Sequence, residues 1–147
     1  MQYKNVSSTY KETKVKTAGQ GQLIVMLYDE AVKQLTKAVD LAELNKSDKK
    51  DPGRIEQISK AIMKTEEIMT ELMISLNFEQ GGEISKNLFS LYTWFNRELV
   101  EANISQDTGR IKTVINMLND LRNAWNKVAG QAPADQTGET VGLNIAG

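Results

Sequence analysis

Leu23-Ile24-Val25-Met26-Leu27-Tyr28 is a run of six apolar or aromatic residues, closed by Asp29, at the start of a long segment with helical spacing. A helix repeats about every 3.6 residues, so six such residues in succession reach all of its faces. A helix on the surface of a bundle needs a single apolar stripe. This one carries apolar surface beyond what one core contact uses, and something must cover the surplus. Two readings follow. The helix lies in the middle of a bundle, or its extra face forms a groove that receives a partner segment.

The run is too short to cross a membrane, which takes about 20 apolar residues. The N-terminus shows no apolar signal-peptide core, so the expected location is cytoplasmic, with no membrane insertion. A chain of 147 residues suits one domain with a real core. Two prolines, ten glycines and little clustering of β-branched residues point to an all-α protein. The chain has no cysteine and no histidine. Disulfides, thiolate metal sites, cysteine nucleophiles and the commonest general base are therefore excluded. A formal net charge of −1, with basic residues spread along every helix, gives no field for holding nucleic acid. No cofactor is expected.

Residues 1–16 read as an arm. Lys4, Lys11, Lys14 and Lys16 against Glu12 make four positive charges to one negative, a local net of +3. Tyr3, Val6 and Tyr10 could lay this arm on an apolar groove. Thr17 and Gln20 have the spacing of a capping box, which opens a first helix over about 17–45. Its inner stripe is Ile24, Leu27, Ala31, Leu35, Ala38 and Ala42, and its alanines let neighbouring helices approach closely. Asp51-Pro52 is a strong helix start, because aspartate caps free amides and proline fits the first helical position. The second helix, about 51–77, carries Ile55, Ile58, Ile62, Thr65, Met69, Leu72 and Leu76 in steps of three and four, with Met63, Ile68, Met73 and Ile74 off that stripe.

Gly81 is expected to end this helix in the left-handed conformation, with Gly82 opening the third, about 83–105. That helix turns Ile84, Leu88, Leu91, Tyr92, Phe95, Leu99 and Ala102 inward and leaves Phe89 and Trp94 off the seam. Asp107 caps a fourth helix, about 107–129, with Ile111, Val114, Leu118, Leu121, Trp125 and Val128 inward, and Gly130 is expected to stop it. Residues 131–147 lack periodicity and read as a disordered tail. The organisation is thus an arm (1–16), a four-helix bundle (17–130) and a tail. Short connections between amphipathic helices make the bundle antiparallel.

Catalytic chemistry finds no footing. Glu66-Glu67, Glu98 and Glu101 could pass for paired carboxylates, but no metal-ligating or nucleophilic partners accompany them, and a solvated helix face explains them. The paired glycines lack the strand and the Lys-Ser/Thr of a phosphate loop. The expectation is a protein that is not an enzyme.

Gln22-Leu23-Ile24-Val25-Met26-Leu27-Tyr28-Asp29 resembles the first-helix signature of the flagellar export chaperone (FliS) family. Leu76-Asn77, Gly81-Gly82-Glu83-Ile84 and Asn87-Leu88-Phe89-Ser90-Leu91-Tyr92 follow in the family's order. So do Ala102-Asn103, Asp107 and Leu121-Arg122-Asn123-Ala124-Trp125. Each motif alone is weak, and the ordered set over about 10–128 is specific. The family often has Asp-Gly after the tyrosine, whereas here Glu30 follows Asp29. The resemblance implies a cytoplasmic chaperone for bacterial flagellum assembly. It would bind the disordered C-terminal segment of flagellin, prevent premature polymerisation and deliver flagellin to the export gate protein of the flagellar type III secretion apparatus. Ile24, Val25, Met26, Leu27 and Tyr28, joined by Leu88, Leu91, Tyr92 and Phe95, are then the expected groove residues. Tyr3, Val6 and Tyr10 of the arm would cover the groove or dock at the gate. The competing readings are a bundle that self-associates through its surplus apolar surface and an adaptor for a different helical partner.

Overall fold

The protein is an antiparallel bundle of four helices, given by a computed structural model that describes residues 20–131. The helices are α1 (Gln20–Ser47), α2 (Pro52–Ile74), α3 (Phe78–Ser105) and α4 (Thr108–Gln131). No strand occurs among the described residues. The expected arm with Tyr3, Val6 and Tyr10, the Thr17 cap and the tail beyond 131 lie outside them.

Local chemistry sets the helix ends. The Asp51 carboxylate accepts from the Gly53 N–H at 2.9 Å, and Pro52 begins α2. Asp107 does the same for α4, accepting from Gly109 at 2.9 Å and Arg110 at 3.3 Å. The turn between α3 and α4 is closed by Gln106 in the left-handed region (φ 57°), with its N–H on the Ala102 carbonyl. Asn45 is buried and its amide oxygen holds the α1–α2 loop, accepting from the Asp51 N–H at 3.3 Å and from Arg54 Nη1 at 3.1 Å.

Three boundaries differ from the sequence expectation. Helix α2 stops at Ile74, because Asn77 serves the next helix: its side chain accepts from the Gln80 N–H at 3.0 Å. Gly81 is helical and buried, and Gly82 instead takes the positive dihedral (φ 51°, ψ −120°). A first turn, Phe78–Gly81, therefore precedes a kink, and the long part of α3 follows it. The Ser85 hydroxyl pins the kink by donating to the Asn77 carbonyl at 2.8 Å. Gly130 does not stop α4, which runs on to Gln131.

The helices pack in a ring, α1–α2–α3–α4 and back to α1, with the closest packing where α1 meets α4 and α2. Ala31, Ala38 and Ala42, all buried, permit that approach. At the end of the bundle where the chain enters, a Cβ on Gly21 would lie 3.1 Å from the Ala129 Cβ. The Arg122 Nε donates to Asp29 Oδ1 at 2.8 Å and ties α4 to α1. Across the diagonal, α1 and α3 meet through side chains. The Tyr28 and Tyr92 hydroxyls share a hydrogen bond of 2.5 Å inside the core.

Candidate partner-binding face

The residues expected to line an open groove are mostly interior. Ile24, Val25, Leu27, Tyr28, Leu88, Tyr92 and Phe95 are buried, and Tyr28 and Phe95 expose nothing. Only Met26 and Leu91 are half-buried. The physical reason is the position of α1. With α2 on one flank and α4 on the other, both faces of the six-residue run are taken up inside the bundle. Burial pushes the Tyr28 phenol far above its usual range; the Tyr92 partner adds to this, and the nearby Trp125 indole opposes it in small part. Tyr92 is pushed up to about 12, again mainly by burial. These are neutral, structural hydroxyls.

The surplus apolar surface emerges elsewhere. Eight of the nine exposed large apolar side chains among the described residues belong to α2 and α3, one belongs to α1, and none lies on α4. Ile55, Met63 and Ile74 lie on α2, and Phe78, Ile84, Phe89, Val100 and Ile104 on α3. Two hydrogen bonds register the helices. Asn103 Nδ2 donates to Ser59 Oγ at 3.0 Å, and Asn96 Nδ2 to the Glu66 carbonyl at 3.5 Å. That register sets Ile55 near Ile104, Met63 near Val100, and Ile74 near Phe89. Helical spacing puts these six on the outward side of the α2–α3 seam, in a band about 29 Å long at 1.5 Å per residue. Phe78 packs edge-on against Phe89 with ring centroids 6.0 Å apart, so the band ends in an aromatic pair beside the Gly82 kink.

Part of this face was legible in the residues. Met63, Ile74 and Phe89 fall off the inner stripes of their helices, and apolar residues that their own stripe leaves unused are the signal. Ile55 and Ile84 were expected inside. They occupy end turns, where the neighbouring helices run out. Val100 and Ile104 escaped notice, although they lie off the Leu88–Leu99 stripe for the same reason as Phe89. Trp94 is half-buried, with its ring centroid 5.8 Å from that of Phe95.

The charged groups near the face are divided in role. Glu98 is not a free solvated carboxylate, because it receives Arg110 Nη1 at 3.0 Å and joins α3 to α4. Glu66 sits half-buried on the α2 side of the seam. Burial first, and the adjacent Glu67 second, hold its carboxyl above the usual range. Among the described residues no group of three or more acidic, histidine or cysteine side chains is placed to hold a metal ion. No described helix is long and apolar enough to cross a membrane. What the arrangement offers is a long apolar band with polar margins, suited to an amphipathic segment laid along it.

The chain matches a family model described as "Flagellar protein FliS" over residues 2–132. It is 36% identical over 121 residues to a flagellar secretion chaperone FliS of Salmonella typhimurium, covering 82% of this chain and 84% of that one. It is 29% identical over 138 residues to the protein of the same description in Bacillus subtilis, covering 94% and 96%. An Escherichia coli relative of that description is 31% identical over 116 residues, covering 79% and 80%.

Proposed function

This chain belongs to the FliS family, and from that premise we propose that it is a cytoplasmic export chaperone for flagellin. It binds the disordered C-terminal segment of flagellin, keeps the subunit from polymerising early, and presents it to the export gate of the flagellar secretion apparatus. The relatives that carry the description of flagellar secretion chaperone support the role. The observation that carries the client-binding part is the apolar band on α2 and α3.

The energetics favour a long contact. A disordered segment that folds on binding gives up about 2–5 kcal/mol in ordering. Fully burying a Val, Leu, Ile or Phe side chain returns about 1.5–3 kcal/mol. The residues of the band keep between 42% (Ile55) and 75% (Ile104) of their surface exposed, so each returns roughly 1–2 kcal/mol when covered. A partner that reached only three or four of them would do little more than offset its ordering cost, and one that follows the whole band would exceed it. No nucleotide or metal enters such binding, and no enzymatic step is part of the reading. The residues expected from sequence, Ile24 to Tyr28 with Leu88, Leu91, Tyr92 and Phe95, act in it mainly as the core that sets the spacing of α2 and α3. Met26 and Leu91 are the two with surface to contribute. The arm, through Tyr3, Val6 and Tyr10, is the proposed element for covering the face or engaging the gate.

The test is seeded polymerisation of flagellin monomers followed by light scattering. An equimolar amount of this protein is expected to suppress filament growth, and Met63→Asp/Val100→Asp is expected to restore it. Growth at the same rate with and without the folded wild-type protein would overturn the proposal.

A further inference from the structure

The apolar band does not end at Ile55 and Ile104. It opens there into a cavity of about 490 Å³ between the α1–α2 loop and the α3–α4 turn, lined in part by Ala42, Ile55, Lys46, Lys50, Gln106 and Asp107. Ala42 is buried and Ile55 half-exposed, so the cavity has an apolar patch continuous with the band. Its charges are unbalanced. Each carboxylate around it is engaged. Asp107 caps α4 and meets Arg110 Nε at 3.4 Å, Asp48 meets Arg54 at 3.7 Å, Asp51 caps α2, and Glu43 meets Lys112 at 2.8 Å. Lys46 and Lys50 have no carboxylate within salt-bridge distance among the described residues, although Lys46 acts on Glu43 at longer range. At the other end of the band the balance reverses, with two exposed carboxylates, Glu79 and Glu83, against one exposed cation, Lys86, beside Phe78, Ile84 and Phe89.

A helix laid on this band meets opposite charge at both ends in one direction only. Its C-terminus exposes carbonyl groups without partners and the negative end of its dipole, and a terminal carboxylate adds a full charge. We propose that the cavity receives the chain-terminal carboxylate of the segment bound along α2 and α3. The Lys46 and Lys50 ammonium groups close on it, and the last apolar side chain rests on Ala42 and Ile55. This fixes the client's polarity: its C-terminal end lies at the Ile55–Ile104 end and its N-terminal end at Phe78. The inference rests on the reading of the client as the C-terminal segment of flagellin.

The test is calorimetric titration of the full chain, at low salt, with a synthetic peptide of that flagellin segment made once as the free acid and once as the C-terminal amide. Amidation is expected to weaken binding to the wild-type protein by about tenfold, in line with a partly exposed charge-assisted contact. In Lys46→Gln/Lys50→Gln, shown folded by circular dichroism, amidation is expected to change affinity less than about twofold, because the partners of the carboxylate are gone. Equal affinity of acid and amide for the wild-type protein overturns this inference and leaves the flagellin reading standing. An undiminished amidation effect in the lysine variant also overturns it. Binding of neither peptide to the folded wild-type protein overturns both.

Discussion

The Tyr28–Tyr92 hydrogen bond makes a sharp prediction, because its two members differ in what they leave behind. Tyr92→Phe removes one hydroxyl and leaves Tyr28 beside the polar edge of the Trp125 indole, which favours its charged form. Loss of a single internal hydrogen bond costs about 1 kcal/mol. Tyr28→Phe strands the buried Tyr92 hydroxyl, on which no other side chain among the described residues acts. A buried polar group left without a partner costs about 1–3 kcal/mol, so this single change is expected to cost about 2–3 kcal/mol. The double variant Tyr28→Phe/Tyr92→Phe no longer contains the stranded hydroxyl. It is expected to be no less stable than Tyr28→Phe alone, giving a coupling energy of about 1 kcal/mol or more. Urea unfolding followed by circular dichroism measures all three variants against the parent, provided the denaturant slope is unchanged. Additive losses, within about 0.4 kcal/mol, would refute the claim that the two phenols act as one unit.

Raising the pH tests the same pair. Both phenols hold their proton more tightly in the folded than in the unfolded chain, so above about pH 10 the unfolded chain binds fewer protons and stability falls as pH rises. The expected slope is about 1.4 kcal/mol per pH unit for each tyrosine, and an unfolding midpoint that stays flat between about pH 9 and 11 would contradict it. Gly82→Ala is expected to cost about 1–3 kcal/mol in a urea titration. The positive φ is the whole cause, because a Cβ there meets nothing within 4 Å. Phe95→Ala is expected to cost about 3–5 kcal/mol by the same assay, since the side chain is fully enclosed among Tyr92, Trp94 and the bundle centre. Removing residues 1–16 is expected to leave the helical circular dichroism signal intact and to tighten client binding measured by calorimetry; weaker binding would make the arm part of the site.

Periodicity and capping carried most of the architecture. Steps of three and four place Ile58, Ile62, Thr65, Met69 and Leu72 in the core. Asp51 and Asp107 mark their helix starts because a short carboxylate finds free amides wherever a helix begins. The Asn77 region was ambiguous for a local reason. The same asparagine can extend one helix or cap the next, and the hydrogen bond to Gln80 decides it. Likewise either of two adjacent glycines could take the positive dihedral.

The binding face was the least legible part. Six apolar residues in a row announce surplus surface, but which flank is covered depends on contacts distant in sequence. Here α2 and α4 cover both flanks of α1, and the uncovered positions fall on α2 and α3. End turns misled for a related reason. Ile55 and Ile84 continue their stripes perfectly, and they are exposed because the facing helices end.

The central claim is that the chain recognises a disordered flagellin end by folding it along α2 and α3. The most direct measurement is calorimetric titration of the full chain with the C-terminal segment of flagellin from the same cell, repeated at several temperatures. The account predicts one-to-one binding with a negative heat-capacity change, the mark of apolar surface buried as the segment orders. Absence of binding by a protein shown to be folded, or binding with no heat-capacity change, would contradict it.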